Sequence, residues 1–189
     1  MNASFGTPHW CPGLDNGERT LRDVLASMPT DPPGAIPWYV KLLENPASPV
    51  ALPGAIDLFG HDCIHVLLGR GLQPADEAFV IGFTMGSSGQ LSAWQEQLFR
   101  WCSAHLYRGR FRFADRDRAV FGLGVWLGRQ AGVRPLDAVD FRALLSRPLA
   151  DIRRDLGVRP EVLAQGYALE RQLWTETRTL PRGSQHGLA

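Results

Sequence analysis

The sequence predicts an all-α fold, a single-domain helical bundle, and three observations carry that prediction. Apolar residues recur at helical spacing in successive segments from residue 54 onward. Glycines (Gly69, Gly89, Gly109, Gly132 and Gly157) stand just beyond five of those segments, where helix C-caps belong. Alternating runs are scarce, and only "GRFRF" (109–113) has the period of a strand. With 189 residues, 44% apolar and 21% charged, the chain is long enough to bury about two-thirds of its unfolded surface in one core.

The elements follow in order. The first 35 residues are rich in Pro and Gly and hold one short helical stretch, "RTLRDVLASM" (19–28). "WYVKLLENP" (38–46) is helical in pattern and closes at Pro46. Helices are then predicted over 54–68, 75–87, 91–108, 115–131, 137–156 and 160–178. The helix at 115–131 opens with acids and closes on Arg129, in agreement with the helix dipole. It also carries Gly122, Gly124 and Gly128, while 75–87 carries Gly82 and Gly86. An interior glycine costs a helix about 1 kcal/mol relative to alanine. Two explanations fit: close packing of one helix on another, or room between helices for a long apolar ligand.

A net charge of +1 excludes a wholesale electrostatic commitment to nucleic acid. Three cysteines (Cys11, Cys63 and Cys102) at unrelated spacings give neither a disulfide framework nor a cysteine zinc site. The N-terminus lacks a basic region followed by an apolar run, and no stretch of about 18 apolar residues exists. The expected location is cytoplasmic, with peripheral contact to the inner face of a membrane as a further expectation. That expectation rests in part on "LYRGRFRFADRDR" (106–118), where five arginines alternate with Tyr107, Phe111 and Phe113. Such a mixture suits a lipid head group, or a solvated connection balanced by Asp115 and Asp117.

The chemistry concentrates in "GHDCIHVLLGRGLQPADEAF" (60–79). At about 100° per residue, His61, His65 and Asp62 share one sector of a helix whose other faces are apolar. Burying two imidazoles and a carboxylate unpaired would cost several kcal/mol. A divalent cation offsets that cost, since neutral imidazole and carboxylate are its ordinary ligands. Gly69 should end the helix and Pro74 open the next, so that Glu77 turns back toward its predecessor and completes a nitrogen/oxygen set fit for Zn, Fe or Mn. The plainer readings are a packed histidine pair and a first-turn acid complementing the dipole. Cys102 with His105 forms a second, weaker candidate pair. Asp57, one turn before His61, is either an orienting partner of that ring or an acid at the helix start.

The pattern His-Asp-x-x-His, eleven residues, then Glu resembles the metal motif of the coenzyme Q (ubiquinone) biosynthesis protein 4 family, here His61, Asp62, His65 and Glu77. "HDCIHVLLG" is similar to the family's helix around the motif, and "SRPLADIRRDLGV" (146–158) to the end of its domain. The resemblance covers about residues 36–158. It implies a family-like helical domain over 36–158; the sequence departs from the family in an irregular segment over 1–35 and in a C-terminal helix and tail over 159–189. It also implies an all-helical fold, and a divalent metal, usually zinc, held by those four residues in catalytic as well as ligating roles. Beside the metal it implies a cleft for a lipid.

Its implied activity is oxidative decarboxylation of a polyprenylated hydroxybenzoate in ubiquinone biosynthesis. Two alternatives keep the metal: a non-catalytic lipid-binding scaffold for the other quinone-biosynthesis enzymes, or a relative recruited to another phenol or quinone pathway. For helix 160–178 three roles are open: covering the cleft, making a homodimer contact or touching a partner. A zinc hydrolase would need a general base beyond the four ligands, and the sequence offers none that can be identified.

Overall fold

A computed structural model describes residues 10–29, 48, 51–105, 112–130 and 132–179, with side chains placed through residue 172. These residues form seven α-helices: α1 (Leu21–Leu25), α2 (Leu58–Leu68), α3 (Pro74–Ser87), α4 (Ala93–His105), α5 (Asp115–Gln130), α6 (Leu149–Leu156) and α7 (Pro160–Thr179). The fold is therefore all-α. The stretch 38–46 and Gly109 lie outside the described residues, as does most of 109–113. Arg112 and Phe113 are not in a strand, and the only β-pairing among the described residues is an isolated bridge between Thr20 and Pro148.

One prediction needs correction. Residues 137–156 are not one helix but two 3-10 turns (Leu136–Ala138 and Phe141–Leu144) followed by α6. Val139 is extended, and the Asp140 carboxylate accepts the Arg142 N–H at 3.1 Å, closing a local turn in place of a helical one. Pro148 then removes a backbone donor and disfavours helical geometry at Arg147, so α6 starts only at Leu149.

α3 and α5 form the most closely packed pair of helices, and their glycines explain why. A Cβ on Gly82 would stand 2.3 Å from the Phe121 carbonyl oxygen, and one on Gly86 2.4 Å from that of Val125. In return, a Cβ on Gly124 would stand 2.5 Å from the Phe79 carbonyl oxygen and one on Gly128 2.4 Å from that of Phe83. The seam is backbone against backbone. Of the two explanations for these glycines, close packing is the one observed, and this seam has no room for a ligand.

The main core joins distant parts of the chain. Leu21 and Val24 of α1, Ile64 and Leu67 of α2, Phe79 and Phe83 of α3, Ile152 of α6 and Leu163 of α7 all belong to one buried cluster. The segment before α1 is tied to the start of α6 by Leu149 N–H to the Arg19 carbonyl and Ala150 N–H to that of Gly17, each 2.9 Å. Residues beyond 158 therefore help build the interior around α2. Among the described residues no helix is long and apolar enough to cross a membrane.

Candidate metal centre

α2 starts where Asp57 caps it: the carboxylate accepts the Gly60 N–H at 2.7 Å. Of the two roles open to Asp57, the structure shows the cap. The helix ends at Gly69, whose left-handed conformation (φ 66°) lets its N–H and that of Arg70 return to the Val66 and His65 carbonyls. The last carbonyls also receive side chains from far along the chain. Arg153 donates to Leu67 at 2.9 Å and to Val66 at 3.3 Å, and the Tyr167 hydroxyl donates to Leu68 at 2.5 Å. The guanidinium thus meets the negative end of the helix dipole in a buried setting.

The turn of residues 69–73 leads into α3, which Pro74 opens and Asp76 caps by accepting the Gln73 N–H at 3.2 Å. Glu77 thereby falls in the first turn of α3, facing α2. Three donor atoms converge: His61 Nε2 to His65 Nε2 is 3.0 Å, His61 Nε2 to Glu77 Oε2 is 3.1 Å, and His65 Nε2 to Glu77 Oε2 is 3.4 Å. Among the described residues this is the one group of three or more His, Cys, Asp or Glu side chains whose donor atoms could hold a metal ion. Asp62, next to His61 on α2, does not belong to the triangle.

The donor chemistry fits a cation. His65 is fully buried, and its Nδ1 lies 2.8 Å from the Gly71 carbonyl oxygen. A carbonyl only accepts, so Nδ1 carries the proton, and in the neutral ring Nε2 presents a lone pair to the triangle. Burial alone would raise the Glu77 carboxyl; the His65 and His61 imidazoles outweigh it and hold the group well below the usual carboxylate range. Two lone-pair donors therefore face each other, with at most one proton from His61 to share. The three edges match one face of a tetrahedral site, in which ligands about 2.0–2.1 Å from a zinc ion stand about 3.4 Å apart. His61 and Glu77 keep 20% and 33% of their side-chain surface exposed, so the triangle borders solvent.

The remaining sequence candidates resolve separately. Cys63 is buried, and burial together with Asp62 and Asp57 pushes its thiol up to about 12, which makes it a packing residue. Cys102 is buried while His105 is exposed and bonded through Nδ1 to the Trp101 carbonyl, so this pair forms no ligand cluster. In the arginine-rich stretch, Arg112 donates to the Ala104 carbonyl at 3.0 Å, Arg118 pairs with Asp115, and Phe113 is buried. Residues 106–111 of that stretch lie outside the described ones. An open cleft of about 430 Å³ sits at the start of α3, but Arg70, Asp76, Arg116, Asp117 and Glu170 line it and no residue of the triangle does.

Sequence reasoning missed the Gly71 carbonyl, because a backbone acceptor leaves no pattern in residue types. It also missed Arg153 and Tyr167 as caps of α2. No protein-family model, curated protein or solved structure matches the chain.

Proposed function

We propose that the chain is a metal-dependent enzyme of quinone biosynthesis, acting on a prenylated hydroxybenzoate and replacing its ring carboxylate by a hydroxyl. The carboxyl group leaves as carbon dioxide, one water is consumed, and dioxygen takes up the two electrons and leaves as hydrogen peroxide. The observation that carries the proposal is the triangle of His61, His65 and Glu77, formed at the spacing through which the sequence resembles the coenzyme Q biosynthesis protein 4 family. A divalent ion bound there supplies Lewis acidity toward a carboxylate or phenolate oxygen.

The chain's own residues define the rest of the reading. His65 is locked by Gly71, so its lone pair stays aimed at the triangle. Glu77 remains anionic through the neutral range and lowers the net charge of the centre. Asp62 holds its place in the motif but not in the triangle, and its proposed part is to support the ligand set from outside it. Leu58 is 56% exposed and stands about 60° around α2 from His61, in the same sector as the ligands, where it offers an apolar lip to a substrate tail. Because the α3–α5 seam is closed, the tail runs elsewhere. Trp94 and Trp101, on one face of α4 and 64% and 52% exposed, support peripheral contact with a lipid surface.

The test is metal analysis by mass spectrometry on wild type and His65→Ala, beside mass spectrometry of copurifying lipid. Near-stoichiometric metal lost in the variant, with a prenylated aromatic acid retained and converted by wild type, is the expected result. A wild type that takes up no metal overturns the reading. A metal-loaded protein that binds the lipid without converting it selects the scaffold instead.

A further inference from the structure

The turn that supplies the Gly71 carbonyl is itself held by an unusual buried group. Arg70 directly precedes Gly71, and its side chain turns inward, 9% exposed. Its guanidinium packs over two rings that meet edge to face, 4.0 Å from the Phe79 centroid and 3.9 Å from that of Tyr167. One nitrogen donates to Glu170 at 2.5 Å, and another meets Asp76 at 3.4 Å. Glu170 is equally buried, at 8%, and lies on α7, one hundred residues further along the chain. Tyr167, one turn earlier on α7, also bonds the Leu68 carbonyl.

The turn is clamped from the other side as well. A Cβ on Gly71 would stand 2.6 Å from the Trp10 carbonyl oxygen and 3.0 Å from Asp76 Oδ2. Gly69 is likewise closed in by the Gly13 carbonyl, 2.6 Å from where its Cβ would be. Backbone and side-chain atoms thus close in on both glycines of the turn, while Arg70 anchors it from within.

We propose that Glu170 is a positioning residue for the metal centre: through Arg70 it fixes the Gly71 carbonyl against His65 Nδ1. It thereby sets the orientation and basicity of a ligand that it never touches. The inference rests on the reading of His61, His65 and Glu77 as a metal site. Partners at this remove orient the ligating ring, and their loss typically lowers metal affinity about 10- to 100-fold. Glu170→Gln keeps the shape of the side chain and removes the charge that holds the guanidinium. The turn then relaxes and the imidazole loses its fixed acceptor, while all three donor atoms of the triangle remain.

The experiment loads the full chain with Co(II) alone and reads affinity and the visible ligand-field bands of wild type, Glu170→Gln, Glu170→Asp and Leu163→Val. Leu163 is buried on the same helix in the core cluster that includes Phe79 and carries no polar group to hold Arg70, so its variant controls for general loosening of α7. The expected result is a 10- to 100-fold loss of affinity with shifted bands in Glu170→Gln and partial recovery in Glu170→Asp. Leu163→Val should keep the wild-type bands even where its melting temperature falls. Wild-type bands in a folded Glu170→Gln overturn the inference and leave the metal site standing. Equal shifts in Glu170→Gln and Leu163→Val overturn it too, and a wild type that binds no Co(II) removes the site reading together with the inference.

Discussion

Gly82 and Phe121 approach so closely that a single methyl group on the first would stand 2.3 Å from the carbonyl oxygen of the second. Neither partner can yield without moving a helix. Gly82→Ala should therefore destabilise the protein by about 1–3 kcal/mol, through overpacking against main chain. Gly122 is a useful contrast, because its added Cβ would meet only the far end of the Arg100 side chain at 2.4 Å. Gly122→Ala should stay within about 1 kcal/mol of wild type, since helix propensity favours alanine. Urea midpoints of the two variants check the difference, and equal midpoints would sink the backbone-contact account.

His65 and Asp62 are separated by the structure although the motif joins them. His65→Ala should abolish metal retention, since it removes one of three converging donors. Asp62→Asn should weaken binding by about 10- to 100-fold, the range for a group outside the inner ligand set. Competition titrations with a chelator measure both. Complete loss of metal in Asp62→Asn would make Asp62 a ligand of full standing.

Glu77 gives a pH dependence whose sign can be worked out. Its folded value is depressed, with the imidazoles overcoming burial. A depressed carboxyl contributes stability above the unfolded value, here 4.5, and loses it as pH falls from there toward the folded value. The gap in stability between metal-free wild type and Glu77→Gln should be present above about pH 4.5 and shrink progressively below it. Denaturation midpoints from about pH 4.5 downward decide it, and a gap that persists or widens below that pH would refute the pairing.

Arg153 bonds the Leu67, Val66 and Leu14 carbonyls from a buried position. Arg153→Met keeps most of the volume and leaves the Leu67 and Leu14 carbonyls without this donor, at a cost of about 1–3 kcal/mol each where no water replaces it, while Val66 keeps the Gly69 N–H. Metal affinity should fall along with stability, because the helix end that carries His65 frays first. Hydrogen exchange of the α2 amides, compared with those of α5, would show whether the loss is local as expected or global.

What could be read in the sequence was whatever local chemistry controls. Gly69 ends α2, Pro74 opens α3, and the register between them brings Glu77 to His61 and His65, whereas the start of α2 is predicted four residues early, at 54 instead of Leu58, because the Asp57 cap is not recognised. The helix predicted at 137–156 failed for a local reason that was also in view: Asp140 and Pro148 each stop a helix, and apolar periodicity masked them. The interior glycines left two explanations open, because composition cannot tell a tight seam from a cavity. The Arg70–Glu170 pair and the Arg153 cap lay beyond reading altogether. Partners 86 to 100 residues apart share no period and no spacing rule.

Those long separations bear on the order in which the protein is made. The two-histidine helix emerges first, but the side chains that finish its end are translated 86 and 99 residues later. At roughly 5–20 residues per second, the delay for Arg153 is about 4–17 s. During that interval the nascent α2 carries bare carbonyls, and its imidazoles have no buried setting to hold them. The centre is therefore a late product of translation, and ribosome-bound chains cut before residue 153 should be poor at capturing metal.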